Sequence, residues 1–436
     1  MTDQPRRHQR APGATAIRHG RLPRRRAVGT VAKVLAAAVA VLVVSTTSIA
    51  AYAVWDVTRS VKPTIHLAAS VPGTKTAGKT EVIPSVAAID GGVNLLITGT
   101  DSREGLGGIY NSRAEQNASS GAGNNDVTML LHIAQDHKSA MVVSFPRDLM
   151  VAIPSCPALN GKGTIGGTSY AQFNTALSRA GVPCVALTVQ KLTGVTIPYA
   201  AEINFSGVSA MSTAVGGVSV CLATPVKDKY TNPPLNLPTG ENVLVGDQAL
   251  SFLRSRHGVG DGSDLGRISN QQVFLSALAR KVVSGGVLGN PLQLYGLAKA
   301  ATANMKLSDT LDLTTMVQIG LALKDTGLDN VVFVQYPSVT DPNDVNRVVP
   351  AKAAATALSN ALVQDVPVVL TGTTGRAAQD PNATTTPTPT TPPVAPATPA
   401  TPAAPATPAP TSTAVALPPS ITGQTAAQQT CTKGNN

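Results

Sequence analysis

Asp126-Val-Thr-Met-Leu-Leu-His-Ile-Ala-Gln-Asp-His-Lys-Ser-Ala-Met-Val-Val-Ser-Phe-Pro-Arg147-Asp148 reads as two strands about a short turn. Asp126–Ile133 and Ser139–Phe145 are rich in side chains that suit a pleated, buried surface, and Ala134–Lys138 supplies the polar turn. A turn centred between Asp136 and His137 sets Asp126 opposite Arg147. Arg147 and the carboxylates of Asp126 and Asp148 then gather at one rim of a sheet. Upstream, Val93-Asn-Leu-Leu-Ile-Thr98 is another strand, ending at Gly99-Thr-Asp101-Ser-Arg103. If it runs parallel to Ser139–Phe145, Asp101 and Arg103 reach the same rim, beside the Gly/Asn/Ser-rich segment 104–125. Two carboxylates near arginines suit Mg²⁺ and a pyrophosphate. Taken one strand at a time, each polar residue also reads as an ordinary strand terminator. Their coincidence at one rim favours a site.

A second stretch adds charge of the same kind: Asp247-Gln-Ala-Leu-Ser-Phe-Leu-Arg254-Ser-Arg256-His-Gly-Val-Gly-Asp261-Gly-Ser-Asp264-Leu-Gly-Arg267-Ile-Ser-Asn270-Gln-Gln272. Ala249, Leu250, Phe252 and Leu253 predict an amphipathic helix before the glycines. Ser263 or Asp264 caps a second helix, with Leu265, Ile268, Leu275, Leu278 and Val282 as its buried stripe. Arg267 and Gln271 share a face of it. Arg254 and Arg256 converge only if the first helix ends near Ser255. Guanidinium forks suit phosphate oxygens. Alone, this stretch also reads as a solvated charge run.

The formal charge of +10 resembles a nucleic-acid signal but is local. Arg6, Arg7, Arg10, Arg18, Arg21, Arg24, Arg25 and Arg26 stand against Asp3 alone, so residues 1–26 carry +7 and the rest +3. That removes the case for DNA or RNA binding by the bulk of the chain. Val34 to Trp55 has no charge and would span roughly 33 Å as a helix, the thickness of a hydrocarbon core. With basic residues before it, segment 27–55 predicts a single-pass membrane anchor with a cytoplasmic N-terminus and an exported C-terminal domain. The rival is a cleaved signal peptide, with Ala51-Tyr-Ala53 as its site. Cys156, Cys184, Cys221 and Cys431 all follow the anchor. An even count in an oxidising compartment reads as two disulfides, with three connectivities open. Zinc lacks a C-x-x-C or His-pair pattern.

Residues 56–90 read as a stem. Within them, Gly73-Thr-Lys-Thr-Ala-Gly-Lys-Thr80 matches a phosphate-binding loop, but Pro72 before it and Pro84 after it deny the strand and helix that loop needs. Beyond 286, Val331–Gln335 predicts a strand and Ala351–Val363 an Ala-rich helix. Residues 371–416 are Thr/Pro/Ala-rich and predict an extended spacer that builds no core. Segment 417–436 carries Cys431, a tether back to the domain.

Asn94–Arg103, Asp126–Ile133 and Val143–Pro154 resemble signature blocks of the LytR–CpsA–Psr family. Lys191-Leu-Thr-Gly194, Ile203-Asn-Phe-Ser-Gly207 and Val215–Leu222 continue the resemblance. Gln248–Arg256 with Gly262–Arg267 is its most specific block. Together they cover about 90–286, and Cys156, Cys184 and Cys221 are placed as in actinobacterial members. The resemblance implies an α/β fold with a mixed, largely antiparallel central sheet flanked by helices, preceded by one transmembrane helix. It implies a catalytic domain over 91–286, with 287–370 packed against it as an extension. The implied activity is transfer of a glycan phosphate from a polyprenyl-pyrophosphate carrier to peptidoglycan at the outer face of the cytoplasmic membrane, during cell-wall assembly.

In that scheme Asp101 and Asp126 hold Mg²⁺ (or Mn²⁺). Arg103, Arg147, Arg254, Arg256, Arg267 and Gln271 bind the pyrophosphate, and Arg147, Asp148 and Asp264 are catalytic. Positioning and charge neutralisation are what phosphoryl transfer asks of a protein. The prenyl tail needs an apolar tunnel, for which Val182–Leu192 and Val273–Leu278 are candidates, though they read equally well as core. The expected disulfides are Cys156–Cys184, bracketing one surface excursion, and Cys221–Cys431, since Cys431 otherwise lacks a partner. Two departures stand out: Asn124-Asn125 and Asn270 occupy positions where the family pattern has arginine, each losing a phosphate contact. The alternatives are a pyrophosphatase releasing the lipid carrier and a non-catalytic envelope-binding or regulatory paralogue.

Overall fold

A computed structural model of the chain describes residues 65–67, 88–100, 123–160, 162–284, 291–381 and 414–435. The expected transmembrane segment 27–55, the phosphate-loop lookalike, Asp101 and Arg103 lie outside the described residues.

Two sheets carry the fold. In chain order the strands are β1 Val93–Thr100, β2 Asn125–Ile133, β3 Ala140–Phe145, β4 Tyr199–Ile203, β5 Val218–Leu222, β6 Gly240–Leu244, β7 Met305–Leu307, β8 Val331–Gln335, β9 Ala378–Gln379, β10 Gly423–Thr425 and β11 Cys431–Thr432. The helices are α1 Thr175–Thr193, α2 Phe205–Ala214, α3 Asp247–Arg254, α4 Asp264–Ser284, α5 Pro291–Asn304, α6 Leu313–Thr326 and α7 Lys352–Val363. The larger sheet runs β7-β4-β1-β2-β3-β8-β10, and only its β4–β1 and β3–β8 pairs are parallel. It is mixed and largely antiparallel. The β2–β3 hairpin has the expected register, with Thr128 opposite Phe145 and Ile133 opposite Ala140.

Alternation along the strands builds two cores, as the pleat requires. Leu96, Leu130, Val143 and Val334 meet α1 and α7 on one face. Leu95, Leu131, Ala140 and Phe333 meet α6 and α4 on the other. The candidate tunnel segments are thereby separated. Val182–Val189 packs under the first face, whereas Leu275 reaches the second and Phe274 and Ala277 a further cluster with β5, β6 and α3. Among the described residues the two segments pack on opposite faces of the larger sheet.

Helix α4 lies between the two sheets, which explains a second difference from expectation. Leu265, Leu275, Leu278 and Val282 are only half-buried, while Gln272, Val273, Phe274, Ser276 and Ala277 are buried on several sides. A one-sided stripe suits a surface helix, and this helix has partners all round. Helix α1 is broken at Ala180–Gly181, where Gly181 takes φ 70°, and Pro183 starts its second segment. Gly194 ends it in the left-handed conformation, its N–H donating to the Gln190 carbonyl at 2.8 Å.

The sheets draw on the whole described chain. β8 and β10 extend the larger sheet beyond β3, so residues after 286 are integral to it rather than an appended layer. The expected spacer is folded at both ends: β9 lies within 371–381, and Val415–Leu417 pairs in parallel with Val368–Leu370. β11 sits between β5 and β9 in the order β6-β5-β11-β9. Parts of the stem also pack on the domain. Ile65 is buried and bridges Ser308, and Ile89 packs against the second face. The disulfides are Cys156–Cys184 and Cys221–Cys431, spanning 28 and 210 residues.

Candidate active site

The rim begins with the hairpin. Because β2 and β3 keep their register, Arg147 Nη1 reaches Asp126 Oδ1 at 2.6 Å, as the turn position requires. An aromatic cluster supports this end of β3 in a chain with only 3% aromatics. The Phe145 ring stacks on Tyr336 at 5.0 Å and tilts against Phe173 at 5.9 Å. Burial pushes the Tyr336 phenol up to about 12. The Arg147 carbonyl accepts from Asn174 N–H at 3.1 Å.

The arginine stretch arrives from the other side. Helix α3 ends at Arg254, and Gly260, with φ 59°, turns the chain in a conformation that favours glycine. Ser263 Oγ then caps α4 by accepting from Gly266 N–H at 3.1 Å. This sets Asp264 in the first helical turn, where a carboxylate is favoured by the helix dipole.

Asp264 is the hub. Its Oδ1 meets Arg267 Nη2 at 2.6 Å, Arg256 Nη2 at 3.2 Å and Arg147 Nε at 3.8 Å. Its Oδ2 accepts from the Arg147 backbone N–H at 3.3 Å. Arg267 Nη2 also donates to the Asp126 carbonyl at 2.8 Å, tying α4 to β2. Arg267 and Asp264 side chains are only 6% and 9% exposed, whereas Arg147 and Arg256 keep about a quarter of their surface, 25% and 27%. The buried pair anchors and the other two face outward.

Electrostatics separates those two. Burial opposes the charge of Arg147, but Asp126, Asp264 and Asp148 outweigh it and raise its pKa. Arg256 has the opposite balance. Burial, then the guanidiniums of Arg267 and Arg147, lower its pKa despite Asp264 and Asp148. The Nε atoms of Arg147, Arg256 and Arg267 are buried with no hydrogen-bond partner. Arg147 Nε is still within ion-pair distance of Asp148 and Asp264, so the accessible donors of the cluster are the outward parts of Arg147 and Arg256.

Two expected members have other partners. The Arg254 guanidinium lies over the Phe205 ring of α2, 4.1 Å from its centroid. Gln271 Nε2 donates to the Leu253 carbonyl at 3.0 Å, satisfying an end group of α3. Of the two asparagines at arginine positions, Asn124 is half-buried and Asn270 is structural, as is Asn125 beside Asn124. Asn125 is fully buried, its Nδ2 donating to Thr128 Oγ1 at 2.8 Å and its Oδ1 accepting from Leu177 N–H at 3.4 Å. Asn270, also fully buried, donates to the Phe252 carbonyl and accepts from Thr432 Oγ1, both at 2.8 Å. An arginine cannot enter the Asn270 space without displacing those bonds.

One residue was not foreseen. Arg347 comes from the hairpin Ser338–Asp341/Asp344–Pro350, and its Nη1 reaches Asp148 Oδ1 at 3.3 Å. Asp148 also accepts from Gln172 Nε2 at 2.5 Å and stands 3.6 Å from Arg147 Nε. A lone arginine in a polar hairpin carries no motif, so nothing local could have found it.

Four guanidiniums, of Arg147, Arg256, Arg267 and Arg347, gather with three carboxylates, of Asp126, Asp148 and Asp264, at one rim of a mixed sheet covered by helices, and the protein is of the α/β class. The LytR_cpsA_psr family model matches residues 63–363, and the chain belongs to that family. Over 270 residues, 57% of this chain, it is 31% identical to the cell wall biosynthesis protein LcpA of Corynebacterium glutamicum, covering 51% of that protein. Over 192 residues, 44% of this chain, it is 31% identical to the polyisoprenyl-teichoic acid–peptidoglycan teichoic acid transferase TagU of Bacillus cereus, covering 56% of it. The chain spans about half the length of the curated relatives it matches. The crystal structure of protein gbs0355 from Streptococcus agalactiae shares the fold, with a TM-score of 0.50 at 22% identity, covering 63% of this chain and 88% of that one.

Proposed function

We propose that this chain is a membrane-anchored transferase that moves a glycan phosphate from a polyprenyl-pyrophosphate carrier to peptidoglycan outside the cytoplasmic membrane. The observation that carries this reading is the cluster of Arg147, Arg256 and Arg267 around Asp264, in which Arg147 and Arg256 keep 25% and 27% of their side-chain surface for an oxygen-rich anion. Family membership and a relative named as a teichoic acid transferase support the substrate class.

Asp264 fixes Arg267 and Arg256, and Asp126 fixes Arg147, so the donors need no reorganisation when charge develops on the phosphates. The acceptor hydroxyl oxygen bonds to the sugar-side phosphorus, the bridging P–O bond to the lipid phosphate breaks, and prenyl phosphate leaves with the bond's electron pair. The hydroxyl proton is released. Arg147 and Arg256, the two more exposed guanidiniums, neutralise the leaving phosphate.

The residues fit a divalent cation completed by the substrate. Asp126 offers a partly exposed carboxylate at the rim, and among the described residues no three metal-ligating side chains form a cage. Mg²⁺ with one or two carboxylates and phosphate oxygens matches that supply, with Asp101 as the second carboxylate. A bound cation would supply charge neutralisation and orientation of the phosphates.

Incubating the protein with Mg²⁺, a polyprenyl-pyrophosphate glycan and peptidoglycan oligomers, then weighing the products, tests the proposal. A phosphodiester-linked glycan on peptidoglycan supports it. Free glycan phosphate with prenyl phosphate would point to the pyrophosphatase alternative, and no turnover to a non-catalytic paralogue.

A further inference from the structure

We propose that the last residues of the chain, Thr432–Asn435, are positioning residues that brace the glycine turn carrying Arg256 and the first turns of α4 carrying Arg267. The inference rests on the reading of that arginine cluster as a pyrophosphate clamp.

The turn between α3 and α4 closes Val259 N–H onto the Arg256 carbonyl at 3.3 Å and Gly262 N–H onto the Val259 carbonyl at 3.1 Å, and Asp228 Oδ2 accepts from Ser255 Oγ and Gly258 N–H. The tail adds a second set from the opposite side. Gly260 N–H donates to the Lys433 carbonyl at 2.8 Å, and Asn435 N–H donates to the Gly258 carbonyl at 3.0 Å. Val259 and Gly434 form an antiparallel bridge between these two bonds. Asn435 Nδ2 donates to the carbonyl of His257, the neighbour of Arg256, at 3.1 Å. On the other flank the chain of bonds from Thr432 through Asn270 to the Phe252 carbonyl joins the tail, α4 and the end of α3. Asn270 is three residues past Arg267, on the same side of the first turns of α4.

A brace needs a fixed end, and this one has it. β11 lies between β5 and β9, and Cys431 is bonded to Cys221 of β5. Ala223 N–H donates to the Thr432 carbonyl at 2.8 Å, and Gly434 N–H to Thr224 Oγ1 at 2.8 Å. A Cβ at 434 would collide with the Pro225 carbonyl, so only glycine lets the tail approach this closely. The tail is therefore clamped to a sheet on one side and bonded to the turn on the other.

The consequence falls on Arg256. Burial and the two neighbouring guanidiniums already disfavour its charge. With the turn loosened, the backbone no longer fixes Arg256 Nη2 at 3.2 Å from Asp264 Oδ1. Asn270 gains a meaning in the same way. Where the family pattern has arginine, this chain has an amide that receives Thr432.

The test uses the full chain, a variant lacking residues 433–436, and Asn435→Ala as the milder change should the deletion fold poorly. Both leave the disulfides in place. Each is made in wild-type and Arg256→Ala backgrounds and titrated with geranyl pyrophosphate and with geraniol, while amide hydrogen exchange is followed over 254–264. The deletion should speed exchange at Gly260 and weaken geranyl pyrophosphate binding about 10-fold, the scale of one charge-assisted contact. It should add little in the Arg256→Ala background and leave geraniol unchanged. Unaltered exchange, or an equal loss in both backgrounds, would overturn the brace. If the wild type does not bind geranyl pyrophosphate, the clamp reading fails, and the exchange data alone decide whether the tail holds the turn.

Discussion

Asp126–Arg147 and Arg256–Asp264 stand at one site, yet they are held by opposite kinds of structure. The first pair sits on a single hairpin whose register brings the two residues together. The second pair sits beside a glycine turn held from a tail that a 210-residue disulfide returns to the sheet. One half of the site is set locally and forms with the strands. The other half exists only when the most distant parts of the chain have met. The difference teaches that a charged pocket can be rigid on one wall by pairing and on the other by closure of the whole fold.

The sharpest way to separate the walls is to open the two disulfides in turn. In the chain-entropy model Cys431→Ser should cost up to about 5 kcal/mol of unfolding free energy and Cys156→Ser up to about 3.5 kcal/mol, both read by urea denaturation. Only the first should also weaken prenyl pyrophosphate binding, because only Cys431 lies next to the turn. Equal effects on binding would erase the distinction between the walls.

Asp264 joins the two halves. Asp264→Asn leaves Arg147, Arg256 and the nearly buried Arg267 without their shared carboxylate, and should destabilise by about 3–5 kcal/mol. A cost under about 1 kcal/mol in the same unfolding assay would mean the arginines are separately solvated.

A smaller effect is expected at Arg347, which joins the hairpin wall from outside it. Arg347→Gln should raise the apparent Kd for a glycan-bearing donor about 10-fold with a stability change under about 1 kcal/mol, since its side chain is 33% exposed. Unchanged donor affinity would restrict Arg347 to holding Asp148.

The far end of the same hairpin offers a control with no bearing on ligand. His132 pairs with Asp365 at 3.0 Å and with Asn94 at 2.8 Å. Burial, against the pull of Asp365, lowers its pKa from 6.5, so below that value the unfolded chain takes up the proton more readily than the folded one. Stability should fall as pH drops through about 6.5, and His132→Gln should flatten that part of the curve. A curve of the same shape in the variant would assign the slope to other groups.

How much of this was legible follows from the same contrast. The Asp126–Arg147 pair could be read from the turn because strand pairing fixes distances within one hairpin. Asp264 could be read as a cap from the glycine break before it, but its place among the arginines came from the family resemblance, and its contact with Arg147 spans 117 residues. Arg347 could not, since its distance from Asp148 is set by the pairing of β8 beside β3. The folded ends of the Thr/Pro/Ala-rich region were hidden by their composition, because short strands such as β9 and Val415–Leu417 depend on neighbours rather than on their own pattern. Asn270 was read as a lost phosphate contact when its amide is committed to the Phe252 carbonyl and to Thr432. A sequence shows which donor a residue carries and not which acceptor reaches it first.

The central claim is that the arginines around Asp264 grip a pyrophosphate. It is tested most directly by titrating geranyl pyrophosphate and geraniol into the wild type, Arg256→Gln and Arg267→Lys. The account predicts that Arg256→Gln weakens the pyrophosphate about 10- to 150-fold. Arg267→Lys should be only partly tolerated, because Nη2 alone serves Asp264 and the Asp126 carbonyl, and an ammonium that keeps those two bonds loses the guanidinium's other donors. Geraniol affinity should hold throughout. Equal loss of both ligands would contradict it, and would mean these arginines serve the fold alone.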